Sequence, residues 1–249
     1  MLYENIKDEF ITPSRLIGNL YFVGIHHAST HIIDTGEGLI LIDPGYEETF
    51  HIVLNNIWKA GLNPEDIKYI VLTHGHLDHS GATNKLLELT DAKTFIGKYD
   101  LEKVASYLTP DVLLEDGDEI TLGNTSIRFV HTPGHTPGTM SLFFNITDGD
   151  KTYKAGMFGG SGHNTLVKAY LEKYNVPREV RNTFRESLLR VREEEVEVHV
   201  GNHVGNNNTE GKIKLLPTSE KNPFLDSSDW KRFIDSRIAK IDEIIKNDE

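Results

Sequence analysis

The stretch KYIVLTHGHLDHSG, Lys68 to Gly81, constrains this chain more than any other. KYIVL is a short β-branched apolar run of the kind that forms a buried strand. It feeds directly into three histidines and an aspartate packed into the six positions from His74 to His79. Imidazole is the commonest metal ligand at neutral pH, and histidines scattered over a surface have no cause to cluster this way. His74 and His76 are two apart, so in extended chain their side chains leave the same side. Asp78 and His79 follow on the next turn of chain. Four potential ligands at the carboxyl end of a strand form a metal-site pattern. One such cluster cannot fully ligate two ions, so further ligands must come from elsewhere.

Two later stretches supply them. In HTPGHTPG, His131 to Gly138, Gly134 and the prolines fix an irregular loop that holds His135 just after a strand. In GNHVGNNN, Gly201 to Asn208, His203 again follows a strand and is surrounded by residues that turn the backbone. Other histidines have plainer readings. His51 is a surface or helix residue, His131 ends a strand, and His26, His27 and His31 sit at strand edges, where packing or hydrogen bonding accounts for them.

The chain contains no cysteine, which excludes disulfides and removes thiolate from the menu of ligands and nucleophiles. Any metal is then held by histidine, carboxylate or water, which narrows it to zinc or to harder ions such as manganese and iron. The formal net charge of -12 repels polyanions, so nucleic acid is a poor substrate. It says nothing against a small substrate, because bound dications reverse the local potential. No stretch approaches the roughly 20 apolar residues of a membrane span. The N-terminus, MLYENIKDEF, is polar and acidic rather than signal-like, which gives the expectation of a cytoplasmic protein.

Along the chain, Leu20 to Ile25, Ser29 to Asp34 and Gly38 to Asp43 read as strands. Glu47 to Ala60 reads as a helix ending at Gly61, with Asn63 capping a turn that has Pro64 at its first position. Ala82 to Leu89 is helical in character. Glu119 to Leu122 and Ser126 to His131 flank a Gly123-Asn124 turn, and Thr139 to Ile146 pairs with Lys151 to Phe158 across Asp148-Gly149-Asp150. Helices occupy about Thr165 to Glu195, broken near Pro177, and Val196 to Val200 is a last strand. Trp230, Ile234, Ile238, Ile241 and Ile245 recur at spacings of three and four, the apolar stripe of an amphipathic helix. The pattern is that of a single α/β domain covering residues 1–249.

HGHLDH resembles the HxHxDH signature of the metallo-β-lactamase superfamily, and EGLILIDPG, NPEDIKYIVLTH and HTPGHTPG are similar to that family as well. The resemblance covers nearly the whole chain. It implies a four-layer αββα sandwich with a metal site at one edge of two packed sheets. It also implies that His74, His76 and His135 hold one ion and Asp78, His79 and His203 a second. Most hydrolases of the superfamily carry a bridging aspartate where this chain has KAGMFGGSGHN, Lys154 to Asn164, with no carboxylate. The six-ligand set without it resembles the third subclass of metallo-β-lactamases and its relatives. The departure counts against lactonase and glyoxalase II-type readings. Ser161, His163 and Asn164 fall where the family's substrate contacts sit, while Gly159, Gly160 and Gly162 mark either such contacts or a tight bend. Asp43, in the IDPG turn, either supports a ligand histidine through a hydrogen bond or caps the turn.

The chemistry that follows is hydrolysis by two zinc ions, with manganese or iron as alternatives. A water-derived hydroxide attacks the carbonyl of a small amide, ester or thioester, a β-lactam among them. Asp78 both ligates and orients that hydroxide. Without a bridging carboxylate, the second ion is expected to be held less tightly. An iron-dependent oxidoreductase on the same fold, a lactonase or thioesterase, a nuclease and a non-catalytic metal-stabilised protein are the rival readings. The nuclease lacks a basic, aromatic-interleaved segment, and nothing in the chain resembles an attached flavin domain. The expected partner is a small molecule, with no nucleic acid and no membrane; the sequence leaves the oligomeric state open.

Overall fold

A computed structural model describes residues 10–248. Residues 1–9, which carry most of the N-terminal reading, lie outside the described residues. The first half of the chain builds a seven-stranded sheet with its strands side by side in chain order. They are β1 (Ser14–Ile17), β2 (Leu20–Phe22), β3 (His31–Asp34), β4 (Leu39–Ile42), β5 (Ile67–Leu72), β6 (Lys93–Gly97) and β7 (Val112–Leu114). β1 to β4 are antiparallel and β4 to β7 parallel. Parallel neighbours need a crossover over one face of the sheet. Those crossovers carry α1 (Phe50–Lys59), α2 (Leu77–Ser80), α3 (Thr83–Leu87) and α4 (Leu101–Val104).

The second sheet is formed by β8 (Glu119–Leu122), β9 (Thr125–His131), β10 (Met140–Asp148), β11 (Lys151–Met157) and β12 (Val198–His199), in the spatial order β12-β11-β10-β9-β8. β8 to β11 form an antiparallel meander; β12 returns parallel to β11 after α5 (Lys168–Tyr174) and α6 (Val180–Val191). α7 (Thr209–Leu215) and the long α8 (Asp229–Asn247) complete the chain.

Alternation along the strands explains the layering. Successive side chains of a strand face opposite ways. On β3 and β4, Ile33, Ile40 and Ile42 join an inner cluster, while Ile32, Leu39 and Leu41 join an outer one. The inner cluster also takes Ile127 and Phe129 of β9 and Leu142, Phe144 and Ile146 of β10, so it lies between the sheets. The outer cluster of the first sheet packs on Val53 and Ile57 of α1 and Val104 of α4. Val130 and Phe143 face the other way, against Phe184 and Leu188 of α6 and Trp230, Ile234 and Ile241 of α8. Strands apolar on both faces must be covered on both, and the four layers α, β, β, α do so.

Several boundaries differ from the sequence expectation. β1, β6, β7 and α7 carry no clear periodic signal, being short and mixed in polarity, and were not among the elements expected. The strand expected over Val196 to Val200 pairs only at Val198–His199. The helical stretch near Pro177 is interrupted where Asn175 adopts a left-handed conformation, φ 51, that ends α5. The α8 stripe holds: Trp230, Ile234 and Ile241 are buried, and Ile238 and Ile245 pack at its margin.

At one end the two sheets are stitched together. The Met140 N–H donates to the Thr73 carbonyl (2.9 Å), joining the start of β10 to the end of β5. The β2–β3 loop meets the segment after β12 through a Ser29 N–H to Asn202 carbonyl bond (3.0 Å) and an Ala28–His203 bridge. All the loops that carry the expected ligands leave the sheets at this end.

Candidate metal centre

β5 delivers the histidine cluster. After Leu72 the chain leaves the sheet and bends through His74 and Gly75, and His76, in extended conformation, leads into the first turn of α2, which carries Asp78 and His79. Gly75 separates the two histidines because the loop is pressed against α4; a Cβ there would lie 2.8 Å from Lys103 Cβ. The Gly75 N–H donates to Asp100 Oδ2 (2.8 Å). The same buried carboxylate accepts from Thr136 Oγ1 and the Gly138 N–H, each at 2.7 Å. Asp100 therefore holds the His74–His76 loop and the His135 loop together.

His74, His76 and His135 converge. His74 Nε2 and His135 Nε2 each lie 3.1 Å from His76 Nδ1. The remaining bonds fix the protons. His135 Nδ1 faces the Gly162 carbonyl at 2.9 Å and must donate to it, leaving a lone pair on Nε2. Thr73 Oγ1 donates to Asp43 Oδ2 (2.7 Å) and so accepts from His74 Nδ1 (3.1 Å), leaving a lone pair on His74 Nε2 as well. A single proton on His76 Nδ1 can satisfy only one of its two neighbours. Three ring nitrogens aimed at one point with too few protons between them are a cation's donor set. Their spacing is close to the edge, about 3.3 Å, of a tetrahedron with zinc–nitrogen bonds of about 2.0–2.1 Å. Burial keeps the rings neutral, pushing His74 well below its usual value, lowering His76, and bringing His135 to about 3.

A second set adjoins the first, with the His74 and His79 rings 4.2 Å apart. His79 Nε2 lies 3.2 Å from His203 Nε2 and 3.3 Å from Asp78 Oδ2, and His203 Nε2 lies 3.7 Å from the same Asp78 oxygen. His203 Nδ1 donates to the His27 carbonyl (3.1 Å), which again turns Nε2 inward as an acceptor. Burial lowers His203 to about 4, with the His79 charge acting in the same direction. Burial also opposes a charge on His79, but Asp43 and Asp78 outweigh it and raise the imidazole to about 10. Asp78 is pushed up by burial, yet the His79 bond and charge prevail and hold it below the usual carboxylate range.

Asp43 adopts a left-handed backbone, φ 54, rare for a residue other than glycine. That turn aims its carboxylate at β5: Oδ1 accepts from the Thr73 N–H (2.8 Å), and Oδ2 accepts from Thr73 Oγ1 and His79 Nδ1, both at 2.7 Å.

The donor sets open into a cavity of about 780 Å³. Ser161 and Asn164 line it, and Ser161 Oγ accepts from Asn206 Nδ2 (3.0 Å). His163 does not; its Nε2 donates to the Arg237 carbonyl (3.2 Å) and its ring packs on Phe184. The glycines beside them have a packing cause: a Cβ on Gly160 would sit 2.7 Å from His135 Cδ2, so the loop backbone lies directly on that ring. Asp78 is the one carboxylate among the described residues of the lining, whereas Lys103 and Arg237 bring two cations, neither ion-paired among the described residues. A neighbouring apolar lobe of about 470 Å³ shares Lys103, His135, Thr165 and Tyr170 with the cavity and is walled by Pro133 and Val180. A groove of comparable size, about 730 Å³, runs over β9 and β10 far from these donors, among paired charges such as Arg128 and Glu194. The convergent donors, not cavity size, mark the functional end. Asp100, Lys103, Tyr170 and Arg237 were missed by sequence reasoning; each lies on a helix or turn whose place over the site depends on the tertiary fold.

Residues 23–148 match the profile of the metallo-β-lactamase superfamily. A hydroxyacylglutathione hydrolase from Maricaulis maris is 33% identical over 108 residues, which cover 43% of this chain and 38% of that protein. The chain spans 54%, 28% and 38% of the length of three of the curated relatives that it matches. A subclass B3 metallo-β-lactamase of Bradyrhizobium japonicum superposes with a TM-score of 0.88 at 24% identity, over 96% of each chain. A metallo-β-lactamase from Elizabethkingia meningoseptica superposes with a TM-score of 0.83 at 28% identity, over 96% of this chain and 94% of that one.

Proposed function

We propose, from the premise that this chain belongs to the metallo-β-lactamase superfamily, that it is a binuclear zinc hydrolase cleaving the carbonyl of a small amide, ester or thioester, a β-lactam among the candidates. The observation that carries this reading is the convergence of ring nitrogens in two adjoining sets, with lone pairs turned inward on His74, His135 and His203. His74, His76 and His135 would hold one ion, and Asp78, His79 and His203 the other. Bound zinc supplies Lewis acidity and lowers the pKa of a coordinated water to about 7.

The protein's own groups have separable tasks. Asp43 holds His79 by a bond to Nδ1 and so keeps Nε2 turned to the site. The Gly162 carbonyl does the same for His135. Asp78 presents a carboxylate oxygen to the cavity, where it can accept a proton donor's hydrogen bond and orient it. Lys103 and Arg237 give the cavity a local positive bias within an acidic chain, which favours a substrate bearing a carboxylate. The apolar lobe past Tyr170 has room for a non-polar arm of that substrate. Ser161 and Asn164 line the pocket that would contact it, whereas His163 supports the wall from behind.

The test is a panel of β-lactam, lactone, thioester and phosphoester substrates with zinc-loaded protein, alongside metal analysis. Carbonyl hydrolysis that is lost on chelation, restored by zinc and accompanied by two zinc ions per chain supports the reading. Turnover that survives alanine at each of the six ligand positions overturns it.

A further inference from the structure

We infer that His27 is a seventh donor, which joins Asp78, His79 and His203 as a fourth protein ligand of the second ion. The inference rests on the two-ion reading and adds to it a residue that the HxHxDH pattern does not contain. His27 Nδ1 lies 3.9 Å from Asp78 Oδ2. Donor atoms of His27, Asp78 and His203 all fall within 4.8 Å of one another. The His27 and His203 rings meet edge to face with centroids 5.0 Å apart. His27 also lines the cavity mouth.

The backbone explains why this ring is held there. The His27 carbonyl accepts from His203 Nδ1 (3.1 Å), Ala28 bridges to His203, and the Ser29 N–H donates to the Asn202 carbonyl (3.0 Å). The β2–β3 loop and the His203 loop are therefore one stitched unit, and whatever positions His203 also positions His27. A half-exposed histidine–carboxylate pair at 3.9 Å is too long and too wet to justify such an arrangement on its own, since exposed pairs contribute little to stability. A shared cation gives the two side chains a common object. His26, next along the chain, points elsewhere, its ring 3.4 Å from Glu210.

The consequence concerns how the two ions differ. A zinc site with four protein ligands is closed, whereas one with three keeps an open position. Closure by His27 makes the second ion the more firmly held of the pair, reversing the expectation drawn from the missing bridging carboxylate. It leaves the site of His74, His76 and His135 as the open one.

The experiment is zinc titration of metal-free protein against a competing chelator, with cobalt substitution as the spectroscopic readout, on the native chain, His27→Ala and His26→Ala. The His27 carbonyl survives in His27→Ala, so the bond that orients His203 is retained. The native chain is expected to bind two ions, the second site showing the intense visible bands of four-coordinate cobalt. His27→Ala should keep one affinity and weaken the other by about tenfold or more, the least that loss of even a supporting partner costs, with those bands diminished; His26→Ala should match the native chain. Two ions bound by His27→Ala with native affinities and spectrum overturn the role of His27 alone. Fewer than two ions bound by the native chain overturn this inference together with the function proposed above.

Discussion

Asp43 Oδ2 lies 2.7 Å from His79 Nδ1, and both side chains are completely sealed from solvent. A charge pair in such a place is stabilising only while it is complete. Asp43 also gathers the Thr73 N–H and hydroxyl, so one carboxylate sets the end of β5, the proton on His74 and the orientation of His79.

Asp43→Asn tests this relationship. Asparagine keeps the shape but offers one acceptor where two oxygens receive three donors. The expected outcome is a loss of about 3–5 kcal/mol in urea unfolding of the metal-free protein, as for other broken buried pairs. Affinity for one of two zinc ions should fall about 10- to 100-fold. Unchanged zinc titration in a folded Asp43→Asn protein would show that Asp43 only caps its turn.

Gly160→Ala probes the other ligand set. The added Cβ would lie 2.7 Å from His135 Cδ2, well inside van der Waals contact, so either the loop or the imidazole must move. Overpacking of this kind costs about 1–3 kcal/mol. A displaced imidazole should weaken the first-set ion while the Asp78 set is spared. Retention of both affinities would mean that the glycine loop yields instead.

The His74–His79 cluster was legible because its chemistry is local: four ligand-type side chains fall within six consecutive residues. His135 and His203 were legible because each stands just past a strand among turn-forming residues. The layering was legible wherever alternation was clean, as in Ile32 against Ile33. Asp100 was not, because its meaning lies in three donors brought from Gly75, Thr136 and Gly138, which are distant in sequence. His27 read as a strand-edge histidine because nothing nearby in the chain discloses that its loop is sewn to His203. His163 read as a pocket residue by proximity to Ser161, but its ring turns towards Phe184, a helix-packing outcome the sequence does not encode locally.

Arg237→Gln tests the preference for anionic substrates. Arg237 leaves its Nε without a hydrogen-bond partner among the described residues, and burial lowers its pKa, so the guanidinium is a cation short of a counter-charge at the cavity wall. A charge-assisted contact is worth about 1.5–3 kcal/mol, so KM for a carboxylate-bearing substrate should rise about tenfold or more. KM for a neutral ester should change little, and kcat for either should hold. Equal effects on both substrates would assign Arg237 to the wall rather than to recognition.

The last prediction concerns acid stability and starts from His31. Its ring is fully buried, with Nε2 on the Gly201 carbonyl at 3.0 Å. Burial brings it to about 4, only partly offset by the Gly201 bond and the Asp43 charge. The unfolded chain takes up this proton near pH 6.5, whereas the native state refuses it until about pH 4. Between those limits the unfolded state binds more protons, so stability falls as pH falls. The contribution lost between about pH 7 and about pH 5 is about 2 kcal/mol for a fully buried group. His31→Phe removes the titration and retains a ring against Phe22, whose centroid lies 5.6 Å from that of His31. Urea midpoints of metal-free protein should therefore show the variant less stable at neutral pH but flatter on acidification, its drop smaller by that amount. Gly201 lies two residues before His203, so the same acid uptake loosens the strand end that carries a ligand, and loss of zinc should accompany the transition. An identical pH slope in the two proteins would remove His31 from the account of acid sensitivity.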